Sequence, residues 1–295
     1  MGEARGGDMK ICALTMAYKD YWALGVWYRH YARLLGPQAL YVVAHGSDPE
    51  IERICPGASV LTIPRDDLSH FDRRRADMLN AFQAGLLESY DWVIRTDVDE
   101  LICADPELGG LDQVFSQAAD YPVLTALGLD LVEMPDDRAL SDTVFSSRKN
   151  ASFSGHYSKA FALSRPANLA LHGTRVKPRK LQGFPYLMPE GLYLVHVKYA
   201  NLEALRQVNS DRMRIANSAA KGLPGTGWRE ADADAARFLE GFAAKPLLPW
   251  GRARAKAYRV LSAVPARSER LGVVKARALK FPFRTTLPDW FEKFD

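Results

Sequence analysis

The chain has 295 residues, 47% hydrophobic and 25% charged, with a formal net charge of +4. That length can bury a sizeable core and suits one large α/β domain with additions or two small ones, and the composition reads as globular and soluble. No stretch approaches the roughly 18 uninterrupted apolar residues of a spanning helix, and residues 1–8, lacking an apolar run, read as a flexible leader rather than a secretory signal.

Lys10 to Met16 predicts a buried strand, and Asp20 offers an N-cap for a helix to Leu35 that Gly36-Pro37 stops. Ala39 to Ala44 predicts a second strand running into the turn-rich His45-Gly46-Ser47-Asp48-Pro49, and Val60 to Ile63 a third, ended by Pro64. Phe71, Arg75, Met78, Leu79, Phe82 and Leu86 mark one face of a helix from about Ser69 to Glu88, and Asp91 to Thr96 follows as a fourth strand. Strand and helix alternating four times point to an α/β fold with a mostly parallel, Rossmann-like sheet covered on both faces. Ligands on such sheets sit beyond the carboxyl ends of the strands, where Ala17 to Asp20, His45 to Asp48 and Asp97 to Glu100 all fall. Further on, Leu111 to Ala119 predicts a helix, Val123 to Val132 a strand broken by Gly128, and Ser158 to Leu163 and Leu192 to Val197 two more strands. A Gly/Pro-rich connection lies between Pro178 and Gly191. Asn201 to Ala220 and Glu230 to Phe242 read as helices around a loop at Gly222 to Gly227.

Asp97-Val98-Asp99-Glu100 is the most informative segment. On an extended backbone Asp97 and Asp99 would lie on one side, roughly 7 Å apart. Two unpaired carboxylates repel each other and any phosphate, so they persist together most easily with a divalent cation, Mn2+ or Mg2+, between protein and ligand. A sugar nucleotide is such a ligand, the metal offsetting charge as the diphosphate departs. The competing reading is a solvated acidic loop or helix start.

The segment Trp92-Val93-Ile94-Arg95-Thr96-Asp97-Val98-Asp99-Glu100 resembles the Trp-Val-x-x-x-Asp-x-Asp-Glu of a bacterial branch of the family 2 glycosyltransferases, nucleotide-sugar enzymes of the type A fold. Ala126-Leu127-Gly128-Leu129-Asp130, Ser158-Lys159-Ala160, Leu171-His172-Gly173 and Leu194-Val195-His196-Val197-Lys198-Tyr199 match as well, within about residues 9–215. The resemblance implies a catalytic domain over 9–221, its 9–104 half binding the nucleotide and its 105–221 half the acceptor, with 222–295 a helical, basic extension. It implies that Asp97 approaches the ribose or the metal, that Asp99 is the more direct ligand, that Asp48 belongs to the nucleotide pocket, and that Ala17, Tyr18 and Asp20 lie against the base. The branch carries Arg-Asn-Glu where this chain has Ala17-Tyr18-Lys19-Asp20, which leaves the base and the role of Asp20 open.

Among Arg73, Arg74 and Arg75, guanidinium groups suited to diphosphate, successive positions diverge by about 100°, so one faces the ligand. Arg73 or Arg74 is the expected one, against a solvated basic face. His172 and His196 each follow an apolar strand. A neutral imidazole would complete a metal shell, and His196 is the better placed because Lys198 projects from the same side; the alternative is a hydrogen-bonded structural histidine. Lys159 and Lys198 are candidates for holding phosphate. An inverting transfer needs a carboxylate base, for which Asp130 or Glu133 is expected, unless they cap turns.

Residues 252–284 hold ten basic residues against one acidic, Glu269, interleaved with Trp250, Tyr258, Phe281 and Phe283. Such a mixture suits an anionic membrane surface, and ordinary helix packing with arginines in water is the rival reading. No nucleic-acid motif accompanies the charge, so no nucleic-acid partner is expected. The odd number of cysteines, Cys12, Cys55 and Cys103, fits a reducing cytoplasm and a packing role. The expectation is a cytoplasmic, peripherally membrane-bound enzyme moving a sugar from a nucleoside diphosphate sugar, UDP-sugar foremost, to an envelope glycan or lipid acceptor. The alternatives are a magnesium-dependent phosphohydrolase and a non-catalytic, membrane-anchoring binding module.

Overall fold

The computed structural model describes residues 9–140, 142–217 and 226–295. The leader at 1–8, the boundary at 221 and most of the loop expected at 222–227 lie outside them. Strand β1 (Ile11–Ala17) is buried along its whole length and leads to helix α1 (Tyr21–Leu35), whose inward face carries Ala23, Leu24, Trp27 and Tyr31. Gly36, at φ 82°, ends that helix in a conformation that favours glycine. After β2 (Leu40–His45), Asp48-Pro49 opens a short helix, α2 (Pro49–Ile54), in place of the expected loop. The Asp48 carboxylate accepts from the Glu50 amide, and proline at the first position sacrifices no hydrogen bond there. Next come β3 (Ser59–Ile63), α3 (Phe71–Leu86), β4 (Trp92–Arg95) and β5 (Glu100–Ala104).

The later half contains α4 (Leu111–Gln117), β6 (Val123–Thr125), β7 (Leu127–Val132), β8 (Asn150–Phe153), β9 (Ala160–Leu163), β10 (Asn168–Ala170), β11 (Arg175–Lys177), β12 (Leu192–Tyr199) and α5 (Leu202–Ala216). Beyond it lie α6 (Thr226–Arg229), α7 (Ala231–Ala243), α8 (Trp250–Ala263), β13 (Ala266–Ser268), β14 (Val273–Lys275) and β15 (Thr285–Thr286).

The sheets are mixed rather than mostly parallel. The first has the order β3-β2-β1-β4-β9-β6, parallel among its first four strands and antiparallel at β9 and β6. A second, β15-β8-β7-β12-β5, is parallel at β7–β12 and antiparallel at its other pairings. The third, β10-β11-β14-β13, is antiparallel. After β4 most pairings are antiparallel, several of them between strands far apart in the chain, β4 with β9 and β5 with β12. The chain passes between the sheets repeatedly, first between β4 and β5 and again at Ala126, two residues before the Gly128 at which a break was expected. Gly128 instead permits close approach: a Cβ there would fall 2.2 Å from the Tyr157 carbonyl carbon.

The tail departs from a helical extension. It contributes β14 to the third sheet and β15 to the second, and Ala253, Ala257, Leu261, Phe281, Phe283, Leu287 and Phe291 are buried in the main core beside Tyr193 and Phe153. All three cysteines are buried. Among the described residues no helix is long and apolar enough to cross a membrane.

Candidate active site

β4 ends at Arg95, and Thr96 to Asp99 carry the chain from the first sheet to the second. The Glu100 amide donates to the Asp97 carbonyl at 3.1 Å, closing a turn. Asp97 and Asp99 therefore sit on a turn rather than an extended strand. One oxygen each from Asp97, Asp99 and Glu100 lies within 4.8 Å of the others.

These carboxylates are not unpaired, as the spacing argument supposed. Arg75 on α3 donates to Asp97 Oδ1 at 2.7 Å, His172 Nδ1 lies 2.9 Å from Asp97 Oδ2, and Lys159 Nζ lies 3.7 Å from the same oxygen. Lys159 is also 2.5 Å from Glu100 Oε1, in a pair whose side chains are 2% and 1% exposed. His196 on β12 stands opposite Glu100 of β5 and Asp130 of β7 in the strand register. Its Nε2 lies 3.2 Å from Asp99 Oδ2 and its Nδ1 2.7 Å from Asp130 Oδ1, while Tyr157 stacks on the ring at 3.7 Å.

Burial alone would raise Asp97, but the charges of His172, Arg75 and Lys159 hold it well below the usual carboxylate range. Asp99 is likewise raised by burial and then brought down to about 2 by His196. At Glu100 burial outweighs Lys159 and the shift is upward. Burial would lower His196, yet Asp99 and Asp130 raise it to about 9. Both ring nitrogens of His196 thus lie within 3.2 Å of a carboxylate oxygen, a setting that favours the imidazolium over the neutral ring. The remaining donor set is three hard carboxylates, and it fits Mg2+ or Mn2+ in kind.

The group opens on a crevice beyond the carboxyl ends of β1 and β4. A cavity of about 160 Å³ there is lined by Tyr18, Lys19, Asp20, Arg65, Phe71, Arg75, Asp97, Asp99, His172, Arg212 and Trp228. A neighbouring one of about 350 Å³ shares Met16, Phe71 and Arg75 and adds His45 and Arg74. The Arg65 guanidinium lies 3.4 Å over the Tyr18 ring, Phe71 stacks on His45 at 5.6 Å, and Trp228 meets Phe71 edge-on at 5.8 Å. Flat π-faces with an arginine among them are suited to stacking a planar base. Lys19 and His172 hold φ of 53° and 57°, unfavourable for side chains with a Cβ, and such strain gathers at functional sites.

The other expected residues divide. Asp20 and Lys198 join Asp99 and Arg212 around a small adjoining cavity. There burial, and then the Asp99 charge, pushes the Asp20 carboxyl up to about 6. Ala17 is the buried last residue of β1. Asp130 is buried behind His196. Arg73 is exposed, and Arg74 ion-pairs with Asp67 at the edge of the larger cavity. Asp48 is engaged at α2, where it also accepts from the Tyr21 hydroxyl at 2.8 Å. Glu133 accepts from the Leu202 amide at 2.9 Å, lies 3.5 Å from Arg148, and lines a separate cleft. Arg75, Arg65, Arg212 and Trp228 were not singled out from the sequence. Arg75 carried a signal, because it falls on the inward face of α3 with Phe71, Met78 and Leu79, where a cation requires a carboxylate. Arg212 follows Val208 and precedes Ile215 on one stripe of α5, where a charge among apolar residues marks a lined cavity.

No protein-family model and no curated protein matches the chain. Solved structures do. A 4-diphosphocytidyl-2C-methyl-D-erythritol synthase is 20% identical over 47% of this chain and 67% of that one, with a TM-score of 0.29. A CMP:2-keto-3-deoxy-manno-octonic acid synthetase complexed with CTP is 14% identical over 78% and 86%, at 0.30. A mannose-1-phosphate geranyltransferase from Thermus thermophilus is 12% identical over 95% and 74%, at 0.28. Likeness this loose assigns neither substrate nor reaction.

Proposed function

We propose that the chain is a divalent-cation-dependent glycosyltransferase of the type A, family 2 kind, transferring a sugar from a nucleoside diphosphate sugar, UDP-sugar foremost, to an envelope glycan or lipid acceptor. The observation that carries this is the convergence of the Asp97, Asp99 and Glu100 oxygens within 4.8 Å at the mouth of an aromatic crevice. Tyr18, Arg65, Phe71 and Trp228 hold the base. Asp99 and Asp97 hold the cation, with Arg75 and His172 fixing the Asp97 rotamer. When bound, Mg2+ or Mn2+ neutralises charge at the departing diphosphate. Lys198 and Arg212 add positive charge on the adjoining side. Asp130, buried against His196, orients that ring. The carboxyl at the crevice wall is Asp20, and we assign it the acceptor proton. The exposed cations of the tail, Arg252, Lys256, Arg259, Arg270, Arg277 and Lys280, give electrostatic contact with an anionic membrane, without the aromatic insertion expected, because Phe281, Phe283 and Phe291 face the core.

A thermal-shift screen of UDP, GDP and CDP and their sugars, each with and without Mn2+, tests the reading. A nucleotide whose stabilisation requires the cation is expected, and that cation-dependent shift is lost in Asp99→Asn, measured against the variant's own apo melting point. Equal shifts without the cation, or in the variant, overturn the metal assignment. A second reading rests on the same pairing: cations already neutralise the carboxylates, as in a crevice that binds nucleotide without turnover. Slow donor hydrolysis excludes it.

A further inference from the structure

A large cavity lies apart from the carboxylate group, between α1, α2 and the start of α5. Its volume is about 1240 Å³, above the roughly 300–1,000 Å³ of sites that take drug-sized ligands. Three features of its wall define an occupant.

Charge comes first. Five arginines and five acidic side chains line it, and several pair with one another, Arg53 with Glu50 and the buried Arg148 with Glu133. A phosphate or a polycation would meet as much repulsion as attraction there. A neutral polyol meets alternating donors and acceptors, which carboxylates and guanidiniums provide. Second, Trp22 and Tyr28 are half-buried in the wall and present ring surface, the complement of the apolar face of a sugar ring.

Third, Gly25 sits within α1, where glycine costs about 1 kcal/mol relative to alanine. A Cβ there would meet Arg29 Nη1 at 3.4 Å and Ile54 Cγ2 at 3.9 Å, both ordinary contacts, so packing does not demand the glycine. Its missing side chain leaves the cleft floor open. The cleft also continues toward the chemistry: Trp22 and Asn201 line both it and the small cavity that holds Asp20 and Asp99.

We infer that this cleft binds a neutral glycan chain several sugars long, seating it so that its end passes Trp22 toward Asp20; its role as acceptor rests on the transferase reading above. Neutral hexasaccharides (cello-, manno-, isomalto- and chito-oligomers) are titrated into the protein without donor, read by tryptophan fluorescence and saturation-transfer NMR, with tetragalacturonate as the anionic control. At least one neutral oligomer is expected to bind and to outcompete the control. Gly25→Gln, which fills the floor, and Arg206→Ala, at the exposed rim, are each expected to weaken it by roughly tenfold, or 1.4 kcal/mol, with the melting point retained. Absence of binding by every neutral oligomer at millimolar concentration, preference for tetragalacturonate, or undiminished binding by Gly25→Gln overturns the inference. UDP binding is recorded in parallel. Glycan binding without UDP binding sinks the donor reading and spares the cleft, and the reverse sinks the cleft alone.

Discussion

Replacing Lys159 by methionine isolates the ion pair beneath the acidic turn. Lys159 and Glu100 are 2.5 Å apart and essentially without solvent, so the variant leaves a buried carboxylate facing Asp97 with its cation gone. Breaking one side of a buried pair costs about 3–5 kcal/mol, a large share of the roughly 5–15 kcal/mol that holds a domain together. Burial already raises Glu100 with Lys159 in place, and without it the carboxyl rises further. The sign follows: a folded-state value above the unfolded one means that the penalty is present at neutral pH and fades as pH falls, once the native carboxyl takes up its proton. Urea unfolding of Lys159→Met followed by circular dichroism should therefore show a loss of about 3–5 kcal/mol at pH 7.5 that shrinks toward pH 5. Lys159→Met combined with Glu100→Gln should recover most of it. Mn2+, which would supply the missing charge, should stabilise the single variant more than the native protein. A loss below about 1 kcal/mol at pH 7.5, within the range of an exposed pair, or one independent of pH, refutes the reasoning.

His30 is fully buried, and that burial lowers it to about 4 while its Nε2 lies 3.0 Å from the Ile102 carbonyl. Its contribution is intact above the unfolded value near 6.5 and is lost as pH falls toward 4, about 3 kcal/mol in all. Urea midpoints between pH 6.5 and 4.5 should fall less steeply in His30→Phe, and equal slopes refute the assignment. Reversing Arg259, Arg270 and Arg277 to glutamate should release the protein from vesicles containing phosphatidylserine at low salt without moving its melting point; unchanged sedimentation removes the membrane surface from the proposal.

The first four strands, α1 and α3 were legible because their apolar spacing is strong and their ends carry Gly36, Pro64 and similar stops. Asp48-Pro49 was read as loop although it carries a helix-start signature, and the pairings of the later strands were invisible because sheet partners lie far apart in the chain, as with Asn150 and Thr286. At the site, Asp97, Asp99, His196, Asp20 and Lys198 were picked out from the sequence, and the structure brings them together around adjoining cavities. The guanidinium that meets Asp97 is that of Arg75, the inward-facing one of the three, rather than Arg73 or Arg74. Arg65 lies two residues past β3 and meets the same strand-exit rule that picked out Asp20 and Asp97. The pairing of His196 with Asp130 was out of reach, because Asp130 arrives from a different strand.

The seating of β15 against β8 has a bearing on how the molecule is made. Thr285 and Thr286 complete the edge of the second sheet by pairing with Ala151 and Asn150, and the Leu287 amide donates to the Lys149 carbonyl. Until some 130 further residues have left the ribosome, β8 presents a bare row of amides and carbonyls, a template for wrong partners. A nascent chain halted before residue 285 lacks the strand that shields that edge.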